Sequence, residues 1–121
     1  MKQIILIFTV LITTVSFAQN KNAKATMEVD GVCGECKVRI EKAAIRTKGV
    51  KSAVWNLETH ELKLIYDERK TDLKTIAQKI ANAGHDTKYV TASDEAYAKV
   101  DACCKYRDEE VVKAHKTEKK N

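Results

Sequence analysis

The sequence predicts an α+β domain in which two helices cover one face of a four-stranded antiparallel sheet. Three observations predict it. Several short stretches alternate apolar with polar residues at period two, two longer stretches carry apolar residues at helical spacing, and a glycine follows each helical stretch.

From Lys24 to Asp30, Ala25, Met27 and Val29 face one way and Thr26, Glu28 and Asp30 the other, the pattern of a half-buried strand. Gly31 to Glu35 reads as a loop. Cys36 to Lys48 carries Ile40, Ala43 and Ala44 on one helical face, and Gly49 stands where a helix stops. Ala53, Trp55 and Leu57 alternate with Ser52, Val54 and Asn56. After the turn Glu58-Thr59-His60, Leu62, Leu64 and Tyr66 alternate again, so the two strands form a hairpin with Trp55 and Tyr66 facing inward. Thr71 or Asp72 caps a second helix whose stripe runs Leu73, Ile76, Ala77, Ile80 and Ala83, and Gly84 ends it. His85 to Thr91 is expected to be a fourth strand. Strand, helix, strand, strand, helix, strand is the ferredoxin-like βαββαβ order.

The two ends lie outside that core. Lys2, the mostly apolar run Ile4 to Val15 and the small residues of Ser16-Phe17-Ala18 have the form of a signal peptide, cleaved after Ala18. The run is short for a membrane-spanning helix of about 20 residues. The expectation is therefore an exported chain, periplasmic or secreted, with no stable membrane insertion once residues 1–18 are removed. Residues 92–121 form a charged tail. Ser93 to Ala102 has the makings of a short helix, and the last stretch, rich in Lys and Glu, is expected to be disordered. The net charge of +5 rests partly on Lys113, Lys116, Lys119 and Lys120 in this tail. Terminal lysines usually solvate, and no aromatic-rich strand accompanies them, so nucleic acid is excluded as a partner.

The chemistry lies in Gly31-Val-Cys33-Gly-Glu-Cys36, between the first strand and the first helix. Two cysteines three positions apart bring two sulfurs to one point, and thiolates select soft ions such as Cu(I) over hard cations. A helix N-terminus at Cys36 favours the thiolate, and Gly34 lets the loop open around an ion. Cys103 and Cys104 are the other two cysteines, and adjacent cysteines bridge each other only with strain. They can add sulfurs to the metal site, pair in disulfides or stand as free thiols. Tyr97, Val100 and Tyr106 can dock their segment on the core.

Over residues 24–91 the sequence resembles the heavy-metal-associated (HMA) domain. The resemblance rests on Cys33-Gly-Glu-Cys36 before the first helix, Gly49-Val50 before the second strand, Leu62-Lys-Leu64 in the hairpin and Ala83-Gly84-His85 after the second helix. With export, it looks most like the periplasmic mercury-binding proteins and exported copper chaperones of that family. It implies capture and transfer of a soft metal, Cu(I) first and Hg(II) or Zn(II) as alternatives, with a metal-transporting ATPase or another carrier as partner. It implies no chemistry on a substrate. Two features depart from the family pattern: Gly31-Val32 runs straight into Cys33 without the family methionine, and His85 stands where a tyrosine is usual. His85 is thus either a third ligand or a solvated loop residue; His60 and His115 carry no such expectation.

Two other function classes use the same cysteines. A thiol–disulfide oxidoreductase also places Cys-x-x-Cys at a helix start, but this element order is not thioredoxin's, and a chain without proline has no cis-proline to set beside the cysteines. A structural domain with every cysteine bridged is the other alternative.

Overall fold

The computed structural model describes residues 18–118. The signal peptide expected over residues 1–18 therefore lies outside the described residues, except for Ala18. The elements are β1 Ala23–Glu28, α1 Gly34–Ile45, β2 Val50–Trp55, β3 Glu61–Tyr66, α2 Leu73–Asn82, α3 Asp94–Ala98, a 3₁₀ turn Ala102–Cys104, and α4 Glu109–Glu118.

The sheet has three strands in the order β1-β3-β2, both pairs antiparallel. Met27 pairs with Leu62 across β1 and β3, and Trp55 with Leu62 across β2 and β3, so the inward side chains meet in one layer. Ile40 and Ala44 of α1 and Ile76, Ala77 and Ile80 of α2 join Met27, Val29, Trp55, Leu62 and Leu64 in one core. Full burial of each large aliphatic side chain stabilises the fold by roughly 1.5–3 kcal/mol. Asp72 caps α2 by accepting a 2.7 Å bond from the Thr75 N–H.

The expected fourth strand is not formed. Residues 85–91 contribute one antiparallel bridge, Val29 to Thr87, with hydrogen bonds from the Asp30 N–H to the Asp86 carbonyl and from the Lys88 N–H to the Glu28 carbonyl. The chain then turns away because Thr87 closes a tight local loop. Its Oγ1 accepts from the Val90 N–H at 2.9 Å and its own N–H reaches the Val90 carbonyl at 2.8 Å. These bonds consume groups a strand needs for its ladder. The first helix is also displaced from expectation, starting at Gly34 and ending at Ile45.

The tail differs most from expectation. It runs back across the core through α3 and the 3₁₀ turn, and α4 occupies part of the stretch expected to be disordered. Val100 and Cys104 are buried in the main core. Gly84 makes this possible. Its φ is +104°, and a Cβ there would lie 2.4 Å from Val100 Cγ1 and 2.8 Å from the Ala96 carbonyl oxygen. The glycine that ends α2 is also the seat for the returning chain.

Candidate metal centre

Cys33 holds the N-cap position of α1 with extended backbone, φ −147° and ψ 173°, and its carbonyl accepts from the Lys37 N–H. Cys36 lies one turn further in and is fully buried. Its Sγ accepts a weak bond from the Val32 N–H at 3.5 Å. The loop sits directly on the core: a Cβ at Gly31 would lie 2.9 Å from Trp55 Cη2 and 3.0 Å from Cys36 Cβ. Trp55 is held by its Nε1–H bond to the Val29 carbonyl at 3.0 Å and by stacking on His60. The loop that carries the two cysteines therefore packs, through Gly31, against an anchored Trp55 ring.

Cys33 Sγ and Cys36 Sγ are 3.3 Å apart. Cys104 Sγ lies 3.0 Å from Cys33 Sγ, and Cys103 Sγ lies 3.7 Å from it. Cys103 and Cys104 are 3.9 Å apart through their sulfurs. All four thiols are free, and these contacts are well beyond a disulfide bond of about 2.05 Å. Among the described residues, Cys33, Cys103 and Cys104 bring three donor atoms within 4.8 Å of one another. Burial, with Cys36 and Cys33 adjacent, pushes the Cys104 thiol well above its ordinary pKa. Burial and the neighbouring Cys33 raise Cys103 as well. Such thiols stay protonated until a cation displaces the protons.

His85 is outside that group of donors, and it is not solvated. It is fully buried; its Nδ1 lies 2.8 Å from the Asp30 carbonyl, and its ring stacks on Tyr106 at 5.4 Å. Burial lowers its pKa, so the neutral imidazole is the stable form. Its Nε2 is buried with no hydrogen-bond partner. His115 reaches the Cys103 carbonyl with Nε2 at 3.0 Å.

The residues that bring Cys103 and Cys104 to the loop were only partly legible in sequence. Tyr97, Val100 and Tyr106 dock as their apolar character suggests. Asp86 and Arg107 carry no such signal, and they form the main polar fastening. Arg107 Nη2 reaches Asp86 Oδ1 at 2.8 Å and the Ala92 carbonyl at 2.8 Å, and its guanidinium lies over the Tyr97 ring. Tyr106 donates from its hydroxyl to the Gly84 carbonyl at 2.8 Å and accepts from the Asp86 N–H at 2.9 Å. On the α1 side, Arg39 pairs with Asp101 at 3.1 Å.

The model of the heavy-metal-associated domain family matches residues 26–86, half of the chain. The chain belongs to the heavy-metal-associated domain family. As an HMA protein it is 34% identical over 61 residues to the copper chaperone CopZ of Staphylococcus aureus strain MRSA252, covering 50% of this chain and 90% of that one. It is 39% identical over 64 residues to a copper-exporting P-type ATPase of Staphylococcus haemolyticus, covering 52% of this chain but only 8% of the ATPase. Among solved structures it is similar to a CopZ metallochaperone, with TM-score 0.52 and 32% identity over 54% of this chain and 98% of that chain. Oxidized MerP from Ralstonia metallidurans CH34 superposes with TM-score 0.53 at 25% identity, covering 55% of this chain and 94% of that one. These HMA likenesses support a ferredoxin-like core. The family match stops at residue 86, so the segment that carries Cys103 and Cys104 lies beyond it.

Proposed function

We propose that this HMA protein binds a soft heavy-metal ion, Cu(I) foremost, through Cys33 and Cys36, and carries or sequesters it without catalysing a reaction. The observation that carries the reading is the pair of sulfurs 3.3 Å apart at the start of α1, in a loop packed on Trp55. Thiolates of this kind bind Cu(I) strongly and exclude hard cations such as Mg²⁺. The relatives named for copper support the choice of ion, and the MerP likeness keeps Hg(II) as a competitor. A metal-transporting ATPase is the partner class we infer, because the matched stretch of the copper-exporting ATPase is similar to this core.

The place of action we infer is outside the cytoplasm. That reading rests on Lys2, the apolar run Ile4 to Val15 and the small residues Ser16 and Ala18. Among the described residues no helix is long and apolar enough to cross a membrane. N-terminal sequencing of the chain recovered from its host tests it: a start at Gln19 in the exported fraction is expected, and an intact Met1 in the cytosol overturns it.

Titration of the reduced chain with Cu(I) against a chromophoric chelator tests the metal reading. The wild type should compete for the ion, and Cys33→Ser and Cys36→Ser should each lose that competition. If either single variant still takes the ion as tightly as the wild type, the ion sits elsewhere.

A further inference from the structure

We infer that Cys103 and Cys104, beyond the residues that the family model matches, are ligands to the same ion as Cys33 and Cys36, so that the returning tail closes the site over its cargo. This rests on the metal reading above and deepens it: the chain becomes a retaining site of three or more thiolates in place of an open two-thiolate carrier.

A metal–sulfur bond of about 2.3 Å separates sulfurs by about 4.6 Å in a linear site, about 4.0 Å in a trigonal one and about 3.8 Å in a tetrahedral one. Cys33 and Cys36, at 3.3 Å, would have to part by more than an ångström to hold an ion linearly. Cys33 to Cys103 at 3.7 Å and Cys103 to Cys104 at 3.9 Å already have trigonal or tetrahedral spacing. Cys33 is the hub, with each of the other three sulfurs within 3.7 Å of it. Cys104 at 3.0 Å and Cys36 at 3.3 Å from Cys33 must part from it by about 0.5–1 Å to reach trigonal or tetrahedral spacing, and Cys33, Cys103 and Cys104 are the three whose sulfurs already lie within 4.8 Å of one another, so an ion entering beside Cys33 meets the tail's sulfurs at once.

Burial points the same way. Cys36 and Cys104 are fully buried and Cys33 nearly so. A two-thiolate carrier hands over its ion when a partner's thiolates enter open coordination positions. Here the tail's own thiolates stand in those positions. The tail is not loosely placed: Arg107, Tyr106 and Val100 fasten it to Asp86, Gly84 and the core. Release then requires the segment from Val100 to Lys105 to lift, or an incoming thiolate to replace Cys103, the most exposed of the four sulfur-bearing residues. Binding itself is a simple exchange: each thiol that ligates gives its proton to solvent, and no electron moves.

X-ray absorption on the full reduced chain loaded with Cu(I) alone reads the coordination directly. Three or more sulfurs per copper, at one copper per chain, is the expected result. The double variant Cys103→Ser, Cys104→Ala should still take one copper, now with two sulfurs. It should surrender it to a competing chelator at least about tenfold faster, the scale on which losing even an outer partner of a metal ligand acts. Because Cys104 is a core residue, Cys103→Ser alone serves as the variant whose fold is least disturbed; it too should release the ion faster. Two sulfurs per copper in the wild type overturns the inference, as does unchanged retention in both variants, or two coppers held separately on the two cysteine pairs. Persistence of binding in Cys33→Ser is a different failure, because it removes the underlying metal reading itself.

Discussion

Cys33 and Cys104 stand 71 positions apart in the chain, and their sulfurs are 3.0 Å apart in the fold. Each belongs to a separate device. Cys33 is placed by the turn into α1, and Cys104 by a tail that passes Gly84 beyond the end of α2 and packs on α1. Their meeting depends on three contacts made elsewhere: Gly31 on Trp55, Gly84 under Val100, and Arg107 on Asp86.

Gly31→Ala tests the first. A methyl group there would press within 2.9 Å of the Trp55 ring and 3.0 Å of Cys36 Cβ, so the loop must shift. Overpacking of this kind costs about 1–3 kcal/mol. Urea denaturation should show a loss of that order, and the chelator competition should show weaker Cu(I) binding, since the shift moves Cys36 directly. Full stability with wild-type affinity would mean that the loop floats free of Trp55.

Arg107→Ala tests the fastening of the tail. The guanidinium and the Asp86 carboxylate are 28% and 20% exposed, so the pair is partly sheltered from solvent. Loss of charged hydrogen bonds of this kind costs about 1.5–3 kcal/mol, and partial exposure puts this pair at the lower end. Hydrogen exchange should quicken at the amides of Val100 and Cys104 while β3 keeps its protection. Equal loss of protection in both regions would show that the tail and core open as one unit.

His85 and Asp86 make stability depend on pH in two separate windows. Burial lowers the His85 pKa from 6.5, partly countered by the Asp30 carbonyl bond; Arg39 lowers it further and Asp86 raises it. Tyr106 is the other titratable group against the ring. As pH falls below about 6.5, the unfolded chain protonates this imidazole before the folded chain does, so the unfolded state binds more protons and stability falls. His85→Gln should flatten that limb of a melting-temperature profile measured from pH 8 to 5 on the metal-free chain. Burial acts to raise Asp86, but bonds from Arg107 and the Ala92 N–H outweigh it and its pKa lies below 3.8. Its contribution is present above the ordinary carboxylate value and is lost only as pH falls through the depressed one. An identical slope between pH 6.5 and 5 in wild type and His85→Gln would remove the histidine from the account.

Local pattern determined much of this protein. Period two placed Met27, Trp55, Leu62, Leu64 and Tyr66 inward, and helical spacing placed Ile40, Ala44, Ile76, Ala77 and Ile80 against them; all ten are buried. Cys33 and Cys36 were legible as a candidate site because three positions at a helix start bring two sulfurs together whatever the rest of the chain does, and their sulfurs stand 3.3 Å apart. The sequence by itself also marked Gly49 and Gly84 as helix ends, and both have positive φ. Tertiary structure alone decided the rest. Whether residues 85–91 complete the sheet turned on Val90 bonding back to Thr87 just beyond the one bridge to Val29, a competition between local and distant partners that alternation cannot register. In sequence His85 reads as either a third ligand or a solvated loop residue, and the fold buries it against Tyr106 with its Nδ1 at the Asp30 carbonyl. The placing of Cys103 and Cys104 against Cys33 depends on contacts from Gly84, Asp86 and Arg107, each between elements far apart in the chain. Such contacts form only once the helices and sheet exist to be packed against, and spacing within a single segment carries no record of them.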